Sequence, residues 1–310
     1  MPLPYRWQWR VDRWKNSARG FFGGGEQQPR PKICPSCGAL VGISATRCHE
    51  CGANLRFSLV ALSKKLSGVF GEYESPVTSA LLVANILMFG VSLVLTMQAG
   101  EAGGFHILTG ISGEATFRLG MNLPFGFILQ EHQWWRLVTA MFLHGGLIHI
   151  GLNMMSLMQI GPALEELYGS ARYFFLYVFT GAFGFLASSL TGHISLGASG
   201  ALLGLVGAMI AVTSKRGGSF MRDLRSRLIT SVVILFAVGF MGAFRIDNAA
   251  HLGGFAAGFV IGKIFVDREP MNARERQTAS ILGWLAGAVL LASFVFMILH
   301  FSNPLPGQPG

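Results

Sequence analysis

The sequence predicts an all-α polytopic membrane protein, and three observations support this prediction. Charged residues make up 13% of the 310 residues, about half the fraction found in soluble proteins. The mean hydropathy is +0.49. Beyond residue 57 the chain consists of regular apolar blocks, and the first, 77–97, is long enough to span about 30 Å of hydrocarbon. The apolar content excludes a disordered chain, and a count of four cysteines excludes a disulfide-rich scaffold.

The first 32 residues predict a basic, aromatic arm followed by a flexible linker. Residues 1–19 interleave tryptophan with arginine and lysine, and no apolar segment typical of a cleavable signal peptide follows. Two interpretations stay open: a poorly ordered arm, or a peripheral contact with lipid headgroups through tryptophan and basic side chains. Residues 20–32 are rich in glycine and proline, which is typical of a linker.

All four cysteines lie between residues 33 and 56, as two Cys-x-x-Cys pairs that are each followed by glycine. Two such pairs can place four thiolates at the corners of a tetrahedron, so the segment is predicted to be a small structural zinc ribbon. Disulfides would require an oxidising compartment, and a redox-active pair would be expected near a βαβ unit. The sequence leaves the ribbon's protein partner open. The predicted zinc ligands are Cys34, Cys37, Cys48 and Cys51.

Seven apolar spans follow a connector at 57–76, and the charges of their loops orient them. Basic residues are concentrated before residue 66 and in the loops 214–227 and 267–280, whereas the alternate loops are nearly free of them. The positive-inside rule then places the N-terminus in the cytoplasm and the C-terminus outside, and it explains the net charge of +9 without a nucleic-acid partner. We expect the membrane to be a bacterial inner membrane. The predicted spans are 77–97, 147–164, 173–190, 198–213, 228–244, 248–266 and 278–299.

Polar residues open three of these spans at a common depth. His149 and Asn153 begin the second span, Ser199 begins the fourth and His251 begins the sixth. These spans run in the same direction, so all four residues start from the outer side. A lone serine in a membrane helix usually bonds to a carbonyl one turn earlier, and a lone histidine is as often a packing group. The shared depth of the four residues favours a functional site.

Glycines predict that the fourth and sixth spans pack closely, which would bring Ser199 beside His251. An imidazole next to a serine can take the hydroxyl proton and so create a nucleophile. His149 and Asn153 could then donate hydrogen bonds to an oxyanion. The glycines with the relevant spacing include Gly200, Gly254 and Gly258.

The motifs His149-x3-Asn153, Gly197-Ala-Ser199-Gly200 and Ala250-His251-Leu-Gly-Gly254 resemble the signature of rhomboid intramembrane serine proteases. Supporting matches are Trp135-Arg136 in the first long loop and the segment 161–173. The resemblance covers residues 77–266 and implies a six-helix core. It also implies cleavage of transmembrane segments of other membrane proteins in the lipid bilayer, with no cofactor for catalysis. Residues 267–310 would then supply the extra C-terminal helix of a 6+1 arrangement, and the zinc ribbon would be an N-terminal accessory.

By this resemblance Ser199 is the nucleophile, His251 is the general base, and His149 and Asn153 line the oxyanion hole. Structural support is expected from Trp135, Arg136, Gly197, Gly200, Gly254 and Gly258. Family members often carry an aromatic residue four positions after the nucleophile, where this chain has Leu203. Asp247 lies one turn before His251, but its expected place in an exposed loop favours a Ser–His dyad over a triad.

Two other classes of function compete with a protease. A non-proteolytic relative could bind membrane proteins for quality control, although such relatives lose the serine or the histidine and this chain has both. A transporter or channel would need a charged path near the membrane midplane, and the predicted spans hold almost no charge.

Overall fold

A computed structural model of the chain describes residues 32–33, 40–42, 45–46, 49–50, 75–100, 110–241, 246–265 and 267–303. The chain divides into two compact units, Met1–Gly71 and Glu72–Gly310, and the division falls within the predicted connector. In the first unit two short strands, β1 (Lys32–Ile33) and β2 (Leu40–Val41), pair in antiparallel orientation. The four predicted zinc ligands lie outside the described residues, as do residues 1–31 of the predicted arm and linker.

In the described part of the second unit the regular secondary structure is helical, apart from one isolated β-bridge. A short 3-10 turn, Ala140–Phe142, follows the fourth helix. The helices are α1 (Pro76–Gln98), α2 (Gly113–Arg118), α3 (Phe125–Gln130), α4 (Arg136–Thr139), α5 (Leu147–Tyr168), α6 (Ser170–Leu190), α7 (Ser199–Lys215), α8 (Ser219–Phe240), α9 (Asn248–Ile264) and α10 (Ala273–Leu299).

Four of these helices, α1, α5, α6 and α10, are long and apolar enough to cross a membrane. Helices α7 and α9 are apolar but have 17 residues each, which gives about 26 Å at the helical rise and is shorter than the hydrocarbon core. An all-helical unit with several such helices fits a polytopic membrane protein, which confirms the predicted class.

A helix lies at each of the seven predicted spans, but most of the predicted loop 214–227 is helical, which corrects that prediction. Helix α8 begins at Ser219 rather than at 228, so Arg222, Arg225 and Arg227 of that loop lie in its first turns. The chain breaks instead at Gly218, whose φ of +101° disfavours other residues. Arginine is a good helix former with a long apolar stem, so Arg222, Arg225 and Arg227 can extend an apolar helix toward the headgroups.

Helices α7 and α9 make the most extensive contact in the second unit, and α6 packs against both. Their backbones touch: a Cβ on Gly254 would overlap the carbonyl oxygen of Gly200, and one on Gly258 would overlap that of Gly204. This close approach fixes the distance between the N-terminal ends of the two helices. We call this end of the unit the site end, and the end at which α1 and α6 begin the opposite end.

The segment between α1 and α5 folds back on itself around a buried guanidinium. Arg136 is 2% exposed and donates hydrogen bonds to the carbonyl oxygens of Phe117 (2.8 Å) and Met121 (3.1 Å). The ring of Trp135 packs on Gly120, where a Cβ would overlap it. These contacts hold the start of α4 and the 3-10 turn that follows it.

Candidate active site

The structure brings Ser199 and His251 into direct contact at the site end. Ser199 is the first residue of α7, and His251 lies in the first turn of α9. The serine Oγ is 2.8 Å from Nε2 of the imidazole, a hydrogen-bond distance. His251 is 5% exposed, and its Nδ1 has no hydrogen-bond partner among the described residues. A serine hydroxyl paired in this way with an imidazole can lose its proton to Nε2.

The turn before Ser199 is shaped by Gly197. Its φ is +129°, a conformation that favours glycine, and its N–H donates to the carbonyl oxygen of Ala140 at 2.9 Å. A Cβ on Gly197 would lie 2.8 Å from Nε2 of His149 and 3.8 Å from Oγ of Ser199. The glycine therefore leaves room for His149 to approach the serine, and the 3-10 turn anchors the backbone just before the serine.

The hydrogen bonding of His149 makes its Nε2 a donor. The backbone N–H of Gly145 donates to Nδ1 of His149 at 3.3 Å, so Nδ1 carries no proton. A neutral imidazole then carries its proton on Nε2, which is the nitrogen that faces Gly197. The ring of His149 thus offers an N–H next to the Ser199 hydroxyl.

Asn153 lies on the same face of α5, one turn after His149. Its side chain is buried, and Nδ2 donates to the carbonyl oxygen of His149 at 2.9 Å. This bond uses one of the two amide protons. The structure therefore joins Asn153 to His149 but does not hydrogen-bond it to Ser199.

Asp247 does not lie in an exposed loop, and that expectation was wrong. It is the N-cap of α9, and its side chain is 12% exposed. One carboxylate oxygen accepts from the backbone N–H groups of Ala249 and Ala250, at 3.0 Å each. The other accepts from the hydroxyl of Ser188 on α6. The carboxylate makes no hydrogen bond to the imidazole of His251.

The neighbours of Asp247 keep its carboxylate ionised. Burial by itself raises the pKa of Asp247, but the hydrogen bonds from Ser188 and from the backbone of Ala250 outweigh burial and lower the pKa below the usual aspartate value. The nearest histidine in the described part, His193, is 59% exposed, and its Nδ1 lies 4.0 Å from the carboxylate.

Two residues around the site were not found by sequence reasoning. Phe236 of α8 presents its ring edge-on to His251, with centroids 6.4 Å apart and an interplanar angle of 84°. His144 is fully buried and lies edge-to-face with His149 at 5.1 Å. The sequence held no signal for Phe236, because this residue reaches His251 from a different helix. Nothing in the spacing of His144 distinguishes it from a packing residue.

Comparisons with known proteins agree with the predicted resemblance. A family model described as Rhomboid domain matches residues 131–268, a range that includes Ser199 and His251. The chain is 41% identical over 208 residues to RHOMBOID-like protein 5 of Arabidopsis thaliana, which covers 61% of the chain and 67% of that relative. It is 28% identical over 257 residues to Rhomboid protease GluP of Bacillus subtilis, which covers 80% of the chain and 50% of that relative.

A third relative, RHOMBOID-like protein 1 of Arabidopsis thaliana, is 36% identical over 208 residues. That alignment covers 61% of the chain and 53% of the relative. The chain therefore spans about half the length of two of these curated relatives.

Proposed function

The chain belongs to the rhomboid family of integral membrane proteins, and we propose that it is a serine endopeptidase that cleaves transmembrane segments of other membrane proteins. The observation that carries this proposal is the hydrogen bond between Oγ of Ser199 and Nε2 of His251. The two residues begin helices whose backbones touch, so their separation is held by the packing of α7 on α9. The name of the Bacillus relative as a protease supports the same activity.

In the proposed reaction Oγ of Ser199 attacks the carbonyl carbon of the scissile peptide while Nε2 of His251 takes the hydroxyl proton. The tetrahedral oxyanion accepts hydrogen bonds from Nε2 of His149, from the second amide proton of Asn153 and from the backbone N–H of Ser199. That last N–H is a ready donor because the first N–H groups of a helix have no intrahelical acceptor.

His251 then gives its proton to the leaving amine, and the C–N bond breaks to leave an acyl-enzyme on Ser199. Water attacks the ester carbonyl as His251 accepts a proton again, and the collapse of the second tetrahedral intermediate returns the proton to Oγ. We assign the catalysis to a dyad, because the carboxylate of Asp247 is occupied by the cap of α9 and by Ser188 rather than by the imidazole.

We also propose the 6+1 arrangement and its orientation. Helices α1, α5, α6, α7, α8 and α9 form the six-helix core, and α10 is the seventh transmembrane helix. The N-terminus lies in the cytoplasm of a bacterial inner membrane, and the site end lies toward the outer side. Basic residues at 214–227 and 267–280 support this orientation, since both segments adjoin the opposite end. Labelling of a cysteine at position 220 from the cytoplasmic side alone would agree with this orientation, and labelling from outside would contradict it.

The N-terminal ribbon is proposed to bind one structural zinc ion and to dock a protein partner. Four thiolates are a complete tetrahedral donor set for zinc, and Cys34 and Cys37 lie in the sequence between β1 and β2. Metal analysis of protein purified without chelators should find about one zinc per chain. Cys34→Ser should lose that zinc and leave proteolysis by the core largely intact. A zinc-free wild-type protein would contradict this part of the proposal.

The second candidate function is a non-proteolytic factor that binds membrane proteins for quality control. The two candidates differ in the reactivity of Ser199. A fluorophosphonate probe should label the wild-type protein in membranes, and mass spectrometry should locate the adduct on Ser199. Ser199→Ala is the matched control and should remain unlabelled. A wild-type protein that folds but takes no label would favour the non-proteolytic function.

A further inference from the structure

The helix that carries His251 and the loop that leads to Ser199 are connected by a buried polar cluster. Asp247 lies at its centre, because it caps α9 through the backbone N–H groups of Ala249 and Ala250 and also accepts from Ser188. Ser188 is fully buried near the end of α6. The hydroxyls of Ser188 and Ser195 are 2.9 Å apart, and Ser195 lies four residues before Ser199.

The loop side of this cluster is fastened to the segment before α3. Asn122 exchanges two backbone hydrogen bonds with Ser195, at 2.9 and 3.3 Å. Its side chain is fully buried, donates to the Ser188 hydroxyl at 3.1 Å and accepts from Ser189 at 2.8 Å. Ser188 therefore contacts the cap of α9 on one side and the loop before α7 on the other.

The direction of each hydrogen bond follows from the carboxylate. An ionised aspartate only accepts, so Ser188 must donate its single proton to Asp247. Its two lone pairs then accept from Asn122 and from Ser195. Every donor and acceptor of Ser188 is used in this one arrangement, and a fully satisfied buried cluster is rigid.

We propose that Asp247 and Ser188 position the nucleophile against the base, by joining the cap of α9 to the loop that precedes Ser199. Asp247 acts through other residues and does not touch the reacting atoms. The proposal rests on the proposed protease function, since it assigns the cluster to the alignment of that dyad. Displacement of a reacting group by about 1 Å costs on the order of 10²-fold in rate.

The test compares two serine-to-carboxylate bonds on the same helix. Ser188 at the end of α6 donates to Asp247, and Ser170 at its start donates to Glu165 at 2.7 Å. Ser188→Ala and Ser170→Ala each delete one such hydroxyl. The measurements on full-length protein in proteoliposomes are the fluorophosphonate labelling rate of Ser199, kcat and KM for a single-span substrate, and the melting temperature.

Ser188→Ala should lower kcat and the labelling rate by roughly 10-fold with little change in KM, because binding is kept and alignment is lost. Asp247→Ala should lower both by about 10–100-fold. Asp247→Asn should keep the cap of α9 but lose the acceptor for the Ser188 hydroxyl, because the amide has one acceptor oxygen where the carboxylate has two. The kcat and the labelling rate of this variant should therefore fall about as far as in Ser188→Ala. Ser170→Ala should lower the melting temperature and leave kcat and the labelling rate unchanged.

Equal kcat and labelling rates for Ser188→Ala and wild type would overturn the positioning role, as would equal losses in Ser188→Ala and Ser170→Ala. If Asp247→Ala does not fold, the Ser188 and Asn variants still decide between these outcomes. A folded wild-type protein that neither labels nor cleaves would overturn the proposed function together with the positioning role. Normal wild-type labelling with an unaffected Ser188→Ala overturns the positioning role alone.

Discussion

Two carboxylates at opposite ends of α6 make the same kind of contact. Glu165 accepts from the backbone N–H groups of Val77 and Thr78 at 2.9 and 2.8 Å, and from Ser170. Asp247 accepts from two N–H groups at the start of α9 and from a serine at the other end of α6. Each carboxylate therefore caps one helix and holds it against α6.

The two caps differ in what the capped helix carries. Glu165 caps α1, which contributes no residue to the proposed site, whereas Asp247 caps α9, which carries His251. A carboxylate at a helix N-terminus stabilises the helix through its hydrogen bonds and its charge at either end. A carboxylate cap at the opposite end of the unit is thus expected to affect stability alone. The cap at the site end is expected to affect both stability and the alignment of His251 with Ser199.

The largest expected effect is at the proposed dyad of Ser199 and His251. Ser199→Ala and His251→Ala should each abolish turnover, because a nucleophile and its base act as a unit worth up to about 10⁶-fold. The initial rate of substrate cleavage measures this, and thermal melting serves as the folding control. Full activity in either folded variant would show that cleavage does not depend on the residues at the site end.

The next effect is expected at Asn153, one of the proposed oxyanion donors on α5. Asn153→Ala should lower kcat on the order of 10²–10³-fold with little change in KM, as expected for one donor to a transition state. Ser156→Ala is a matched control on the same helix, since that hydroxyl bonds only to a backbone carbonyl one turn earlier. Equal losses in the two variants would mean that α5 is merely destabilised.

At the opposite end, Glu165→Ala should lower stability more than activity. The variant leaves two backbone N–H groups and the hydroxyls of Thr78 and Ser170 without their acceptor, which should cost about 2–4 kcal/mol of unfolding free energy. The kcat of the folded fraction should stay within about twofold of wild type, because the contacts of α9 are untouched. Denaturant unfolding measures the stability, and the cleavage rate divided by the number of Ser199 residues that a fluorophosphonate can label measures kcat per active site. A large loss of kcat per active site would contradict the proposed difference between the two ends.

A smaller effect is expected at Phe236. Its edge-on contact with His251 is worth about 0.5–1.5 kcal/mol, so Phe236→Leu should lower kcat by roughly 2–10-fold. Phe183→Leu is the control, because Phe183 lies half-exposed on α6 and its described ring contact is a stack on Phe179. An unchanged kcat in Phe236→Leu would show that the ring contact between Phe236 and His251 does not affect catalysis.

Most of the helical layout could be predicted from uncharged blocks, because a bilayer demands long apolar segments. The start of α8 could not be predicted, since arginines near a membrane surface are found both in loops and at the ends of helices. Only the φ of +101° at Gly218 places the break. The glycine faces of α7 and α9 were visible as spacing, and the structure shows the backbone contact that the spacing allows.

The candidate site was predictable where its residues share a depth and a helix start, as Ser199 and His251 do. Asp247 was misjudged because its hydrogen-bond partner Ser188 is 59 residues away in the chain. Phe236 was missed for the same reason, since it reaches His251 from a different helix. Such contacts depend on how helices dock, which local sequence patterns do not encode.

The most direct test of the central claim is the position of the cut. Wild-type protein in proteoliposomes should cleave a single-span substrate within its transmembrane segment, and mass spectrometry of both products should place the new termini there. Ser199→Ala, reconstituted at the same density, should yield neither product. Products from Ser199→Ala, or cuts by the wild type confined to the soluble parts of the substrate, would contradict an intramembrane serine protease.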